Sequence, residues 1–107
     1  MVVNKYEIWT VNLDPTIGSE IQKTRPAVIV SPNEINHNIN TVIIAPMTTT
    51  TKNYPTRVEI TFQGKSGQIV LDQIRTIDKM RLINKIGSVS NQTQEKITLT
   101  LQNLFAK

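Results

Sequence analysis

The stretch Gly18–Ser31, GSEIQKTRPAVIVS, joins a polar loop to an apolar strand. Its second half, Ala27 to Val30, is purely apolar, which is typical of a buried strand. Arg25 stands at the junction, where its planar guanidinium offers paired donors suited to a phosphate. Glu20 lies in the polar half, close enough along the chain to face the same pocket if the loop folds back. The stretch therefore predicts a buried strand that carries a candidate binding loop at its start.

The composition predicts one small basic domain over residues 1–107. Twelve Lys and Arg against eight Asp and Glu give a net charge of +4, which fits a polyanionic partner without being specific for one. The apolar content of 38% leaves room for an apolar face completed by a second subunit. There is no cysteine, no apolar run of membrane-spanning length and no signal-peptide core, so we expect a soluble cytoplasmic protein.

Alternating and β-branched segments predict several short strands. Residues Lys5 to Asp14 alternate, with Trp9 expected in the core, and Thr56–Phe62 and Gln68–Ile74 are expected to form a hairpin around a turn at Gln63–Gly67. Further strands are predicted at three places: Thr41–Ala45, and a pair at Arg75–Leu82 and Lys85–Val89. The Asn-rich segment between the second and third strands fits either a helical turn or a loop.

Near the carboxyl terminus the spacing of apolar residues changes from the alternation of a strand to the period of a helix. One helical stripe is formed by Ile97, Leu101, Leu104 and Phe105, with Ser90 or Asn91 as the N-cap. We expect Phe62 and Phe105 to join the core. The outline is a mainly β (α+β) fold, a small barrel of five to seven strands closed by one helix.

Two chemical groups far apart in sequence are expected to meet. Strand ends in a small barrel converge on one rim, so Arg25 and Thr48 are predicted to share a pocket. Thr48 begins a run of four threonines, Thr48–Thr51, that fits equally a β-rich surface without function.

Three blocks in order carry a family resemblance: Asp14–Pro32 (DPTIGSEIQKTRPAVIVSP), Pro46–Ile60 (PMTTTTKNYPTRVEI) and Leu71–Asp78 (LDQIRTID). The chain resembles the MazF/PemK family of toxin endoribonucleases over nearly its whole length. The resemblance implies an SH3-like barrel with a C-terminal helix, a homodimer, metal-independent and sequence-selective cleavage of single-stranded RNA, and a cognate antitoxin with an acidic C-terminal segment. It also implies that the family's arginine, threonine and loop glutamate fall on Arg25, Thr48 and Glu20.

RNA is cleaved when the ribose 2′ oxygen attacks the adjacent phosphorus, giving a 2′,3′-cyclic phosphate and a 5′-hydroxyl. Such catalysis needs a base, charge stabilisation at the phosphoryl oxygens and a proton for the leaving oxygen. Arg25 suits charge stabilisation, Thr48 can donate a hydrogen bond to the same phosphate, and Glu20 is the candidate base.

Other residues are candidates for binding substrate: Ser19, Lys23, Thr49, Lys52 and Gln73. Gln73 is expected either to read a base edge or to tie down the rim, and the two lysines either position phosphates or are simply solvated. His37 is the only histidine, expected at the surface, and the acidic residues show no metal-site spacing, so neither a metal nor a cofactor is expected.

Two other functions remain open from the residues. A CcdB-like barrel of the same fold poisons gyrase without being an enzyme, but it does not need an Arg–Thr pocket. A non-catalytic RNA-binding barrel is disfavoured by an aromatic content of 5%.

Overall fold

The computed structural model describes residues Met1–Lys107. It contains seven strands and two α-helices: β1 (Glu7–Asn12), β2 (Thr24–Ile29), α1 (Asn33–Asn36), β3 (Thr41–Thr48), β4 (Arg57–Phe62), β5 (Lys65–Val70), β6 (Arg75–Asp78), β7 (Leu82–Ser88) and α2 (Asn91–Phe105). Two short 3₁₀ turns, Leu71–Gln73 and Lys79–Arg81, flank β6.

The strands form one curled antiparallel sheet. Its order is β4-β5-β3-β2-β1-β7, and β6 lies off this path, paired with β3. The first half of β3 pairs with β6 and its last two residues pair with β5, while its other edge pairs with β2. Because one long strand serves three neighbours, the sheet bends into a half-barrel. The predicted mainly β fold with a C-terminal helix is confirmed.

The predicted pairing of the last two strands is wrong. β6 pairs with β3, whereas β7 pairs with β1 at the other side of the sheet. The 3₁₀ turn at Lys79–Arg81 separates them, and its first residue is capped by Asp78, whose carboxylate accepts the backbone N–H of Met80 at 2.8 Å. The turn therefore redirects the chain instead of reversing it into a hairpin.

The predicted hairpin is present with a shorter turn. β4 and β5 are joined by only Gln63 and Gly64, whose φ angles are 52° and 75°. Positive φ at both positions matches the two-residue hairpin turns whose twist suits paired strands. Lys65 and Ser66, predicted in the turn, thus belong to β5.

Two apolar clusters form the core, one on each side of the sheet. Trp9 is buried as predicted, and its indole N–H donates to the Glu7 carboxylate at 3.1 Å. Phe62 is half-buried against the second cluster. Phe105 is 70% exposed, so its predicted core position is wrong. It ends α2, where the helix has passed beyond the sheet.

Helix α2 covers one face of the sheet through the start of its apolar stripe. Ile97 is fully buried and Leu101 is partly buried against the second cluster. Ser90 is the N-cap, as predicted, accepting the backbone N–H of Thr93 at 3.3 Å. Neither helix has the length and apolar character needed to cross a membrane.

Candidate active site

Strand pairing brings the predicted arginine and threonine together. β2 and β3 are antiparallel with Ala27 opposite Pro46. Continuing that register two residues along each strand sets Arg25 opposite Thr48. Both side chains line one surface cavity of about 290 Å³. We call it the Arg25 cavity. The other residues that line it are Ser19, Glu20, Ile21, Gln22, Thr50, Lys52, Arg57 and Gln73.

Arg25 is half-buried and partly fixed. Its Nε donates to the backbone carbonyl of Gln22 at 3.2 Å, while neither Nη nitrogen hydrogen-bonds to the protein. The paired Nη donors are the edge that grips two oxygens of one phosphate. The loop carbonyl therefore holds the guanidinium stem and leaves the binding edge available.

The hydroxyl of Thr48 is also oriented. Its Oγ1 accepts the backbone N–H of Thr50 at 3.1 Å. A hydroxyl has one proton and two acceptor lone pairs, so accepting this bond leaves the proton free to donate. Thr48 can thus donate a hydrogen bond to an anion that also contacts Arg25.

Glu20 lies in the same cavity, on the loop between β1 and β2. Its Oε1 accepts the backbone N–H of Ile17 at 2.6 Å, and its own N–H donates to the carbonyl of Ile17 at 3.2 Å. This reciprocal pair closes a turn and holds the carboxylate in place. Oε2 has no hydrogen-bond partner in the protein and stays available to accept a proton.

Gln73 anchors this loop. Its Oε1 accepts the backbone N–H of Ile21 at 2.8 Å across the cavity rim. Of the two roles considered from the sequence, tying down the rim is therefore visible in the structure. Its amide nitrogen makes no hydrogen bond to the protein and remains available to a ligand.

Lys52 is held through its backbone. The buried side chain of Gln68 accepts the N–H of Lys52 at 3.0 Å and donates to its carbonyl at 2.8 Å. Gln68 also donates to Glu59 at 3.0 Å. Lys52 thus lines the Arg25 cavity on a stretch of backbone that Gln68 holds in place.

The remaining residues predicted to bind substrate do not lie in one cavity. Ser19 lines the Arg25 cavity. Thr49 lines a neighbouring cavity of about 350 Å³ that shares Arg25 and Thr48 and has Phe62 in its wall. Lys23 lines neither cavity, and its backbone N–H is bound to Asp14 at 2.9 Å.

Arg57 is the cavity residue that sequence reasoning missed. Its Nε donates to Oδ1 of Asp72 at 2.9 Å and its Nη2 to Oδ2 at 3.3 Å. The alternation of β4 indicated only that it points away from the core. The predicted hairpin could have indicated this contact. Arg57 pairs with Val70, and this pairing places Asp72 just beyond the end of the partner strand.

Asp72 is the matching carboxylate. Burial would raise its pKa, but hydrogen bonds from Arg57 and from the Thr56 hydroxyl outweigh burial and lower the pKa below its usual value. The carboxylate is therefore ionised at neutral pH and keeps Arg57 aimed. The structure groups no three His, Cys, Asp or Glu side chains in a way that could hold a metal ion.

One protein family matches this chain over nearly its whole length. Residues 4–105 match the family described as PemK-like, MazF-like toxin of type II toxin-antitoxin system. The chain belongs to this family. The toxin resemblance drawn from the three sequence blocks is thereby confirmed.

Three known members illustrate the similarity. The Endoribonuclease toxin MazF of Escherichia coli strain K12 is 36% identical, over 92% of this chain and 88% of its own. Crystalline MazF (Form-I) from Deinococcus radiodurans superposes with a TM-score of 0.88 at 24% identity, covering 100% and 99% of the two chains. An endoribonuclease from a Mycobacterial species, solved in complex with its cognate antitoxin, has a TM-score of 0.80 at 25% identity, covering 94% and 92%.

Proposed function

We propose that this chain is the toxin of a type II toxin–antitoxin system and acts as a metal-independent, sequence-selective endoribonuclease on single-stranded RNA. One observation carries the proposal: Arg25 and Thr48, contributed by paired strands, line one cavity in a chain of a toxin family. The similar Escherichia coli protein is named an endoribonuclease toxin, which favours RNA cleavage over the CcdB-like gyrase poison.

The reaction needs this chain's groups, the RNA and one proton from solvent. The ribose 2′ oxygen attacks phosphorus as Glu20 takes the 2′-hydroxyl proton, and the bond to the 5′ oxygen breaks. Arg25 and Thr48 stabilise the charge that builds on the phosphoryl oxygens. The departing 5′ oxygen takes a proton from solvent. The products are a 2′,3′-cyclic phosphate and a 5′-hydroxyl.

The other predicted residues hold the substrate. Lys52, at the wall of the Arg25 cavity, positions a neighbouring phosphate, and Ser19 and Gln73 contact the nucleotide at the rim. Thr49 contacts the next nucleotide in the adjoining cavity. Lys23, exposed and outside both cavities, contributes charge at longer range.

The proposed partners follow from the family and from surface chemistry. A cognate antitoxin with an acidic C-terminal segment would compete with RNA for the cavity that contains Arg25, Lys52 and Arg57.

Met80 and Ile83 are 91% and 54% exposed, which supports a homodimer that covers apolar surface. We propose messenger RNA as the RNA that is cut, and we therefore place the activity in the cytoplasm.

The test is cleavage in the absence of metal. Purified protein with excess EDTA is incubated with a single-stranded RNA pool, and the new ends are analysed chemically. We expect discrete cuts with cyclic phosphate and 5′-hydroxyl ends, abolished in Arg25→Ala, with Lys96→Ala as a charge-matched control on the exposed face of α2. Intact RNA with wild-type protein, together with inhibition of gyrase supercoiling, would overturn the proposal.

A further inference from the structure

Arg57 sits in the wall of the Arg25 cavity with two of its five N–H donors committed. Asp72 occupies Nε and one proton of Nη2. Nη1 makes no hydrogen bond to the protein. The chain has no buried side-chain nitrogen or oxygen that lacks a partner, so Nη1 must be reached by solvent although the side chain is only 9% exposed. The outer edge of the guanidinium, Nη1 with the second proton of Nη2, therefore carries no hydrogen bond from the protein.

This guanidinium is unusually rigid. A bidentate carboxylate fixes its plane, and the Thr56 hydroxyl fixes that carboxylate by donating to it at 2.9 Å. The ring of Tyr54 lies 5.2 Å from the guanidinium carbon, within cation–π range. Tyr54 is itself 53% exposed, which leaves part of its ring surface open beside the cavity.

The charge of the Arg57–Asp72 pair argues against a second phosphate-binding role. Asp72 neutralises Arg57 at close range, whereas Arg25 and Lys52 in the same cavity form no ion pair in the structure. A phosphate therefore gains less from Arg57 than from its neighbours. The unit offers instead two parallel donors at a fixed angle and an aromatic surface, which are the features that recognise an unstacked base in single-stranded RNA.

We propose that Arg57, aligned by Asp72 and flanked by Tyr54, forms a base-reading subsite that selects guanine in a nucleotide next to the cleaved linkage. Guanine presents O6 and N7 as adjacent acceptors, the pattern that a guanidinium edge reads with two hydrogen bonds. Adenine and uracil lack two adjacent acceptors on an accessible edge. Cytosine presents N3 and O2 on its Watson–Crick edge, but its single ring stacks over less of Tyr54 than a purine does, so guanine is favoured. Tyr54 supplies the stacking surface, and Asp72 is a positioning residue.

The inference rests on the proposed ribonuclease function and is tested on a randomised RNA pool. The wild type is compared with Arg57→Gln/Asp72→Asn, in which both charges are removed so that no unpaired carboxylate is left behind. Ends are sequenced to give base frequencies around each cut. We expect guanine enriched at one position in the wild type, with that preference reduced roughly ten- to a hundredfold in the double variant.

Controls separate base reading from other effects. Lys96→Gln, an exposed change on α2, should keep the guanine preference, and Tyr54→Leu should weaken it while Arg57 and Asp72 stay intact. Replacing guanine with 7-deazaguanine in a fixed substrate should slow only the wild type. The slope of log cleavage rate against log salt should be unchanged in the double variant, because a lost phosphate contact on a single strand would lower its magnitude by about 0.7.

Distinct results overturn the inference and the proposed function. If the wild type cuts RNA and the double variant keeps the same base preference, or only its salt slope falls, the guanine subsite is refuted. If the wild type cuts nothing, the proposed function fails, and the subsite is judged by selecting binders from a 2′-O-methyl RNA pool. Guanine enrichment that depends on Arg57 would still support it there, and no enrichment would refute it. Thermal unfolding of each variant identifies any that fail to fold, in which case Tyr54→Leu and 7-deazaguanine decide.

Discussion

At the scale of single residues, the site depends on side chains whose unused donors face one cavity. The backbone fixes Arg25 through Nε and Thr48 through its acceptor lone pair. Both bonds leave the outward donors free, so the groups are preorganised for an anion and need little rearrangement on binding.

Thr48→Val tests the hydroxyl with little change of shape. It removes the donor to the phosphate and also the acceptor for Thr50, so we expect the cleavage rate to fall on the order of a hundredfold. Thr48→Ser keeps the hydroxyl and should retain most of the rate. Single-turnover cleavage of one defined RNA measures both, and a wild-type rate in Thr48→Val would remove the hydroxyl from the mechanism.

Glu20→Gln tests the assigned base. The amide can still accept the N–H of Ile17, so the loop should keep its shape while the proton acceptor is lost. We expect the single-turnover cleavage rate to drop by a hundredfold or more. A near-wild-type rate would reduce Glu20 to an orienting role.

At the scale of secondary structure, the rim is set by a close approach of two strands. Gly67 on β5 lies against β3, and a Cβ there would stand 2.5 Å from the carbonyl oxygen of Thr48. Only glycine permits this contact, so β5 fixes the position of the end of β3 that carries Thr48.

Gly67→Ala should therefore displace Thr48. We expect a loss of about 1–3 kcal/mol in the free energy of unfolding, as for other overpacked sites, with a fall in cleavage rate. The matched change is Gly64→Asn in the hairpin turn, where nothing lies within 4 Å and asparagine tolerates the positive φ. Urea unfolding and RNA cleavage of both variants provide the measurement. Equal stability of the two variants would contradict the close approach.

Local patterns in the sequence predicted most elements, but they predicted the correct strand partner only within the hairpin of β4 and β5. The apolar run before Ser31, the alternation of β4 and the period of α2 each reflect burial of one element, and each is visible along the chain. Pairing is non-local: nothing in the sequence of β6 states that its neighbour is β3. Phe105 has the right period for the core, yet the sheet ends before the helix does.

The site was predictable to the same extent. Arg25 precedes one apolar run and Thr48 follows another, and their meeting follows from the antiparallel pairing of β2 with β3. The sequence did not reveal Arg57 as a residue of the site. An outward position on a strand gives no sign that a carboxylate beyond the end of the paired strand holds the side chain in the cavity.

At the scale of the whole molecule, an acidic residue on β1 joins the sheet to its edge strand, β7. Glu7 on β1 is only 6% exposed, lies 3.1 Å from the ammonium of Lys85 on β7, and accepts hydrogen bonds from Trp9 and Asn4. Burial would raise its pKa, but these hydrogen bonds outweigh burial and lower the pKa.

The fall in stability at acidic pH should depend on Glu7, which joins β1 to β7. Because the pKa of Glu7 is lowered on folding, the unfolded chain binds more protons near its ordinary pKa, so stability rises with pH there. The stabilisation is complete above the unfolded-state pKa, and it is lost as the pH falls through the folded-state pKa. Asp72 behaves in the same sense. Urea unfolding from pH 6 down to pH 3 should show a falling midpoint, with a shallower fall in Glu7→Gln than in the exposed control Glu95→Gln. Identical pH slopes in the two variants would contradict the assignment.

The central claim is that Arg25 and Thr48 act on the same phosphate, and a double-mutant cycle measures this directly. The cleavage rate of one defined single-stranded RNA in EDTA is compared for wild type, Arg25→Ala, Thr48→Val and the double variant. We predict that each single change costs roughly a hundredfold to a thousandfold and that the double variant costs far less than the product of the two, because groups that act as a unit are not additive. Independent, multiplying losses, or a near-wild-type rate in Arg25→Ala, would contradict the account.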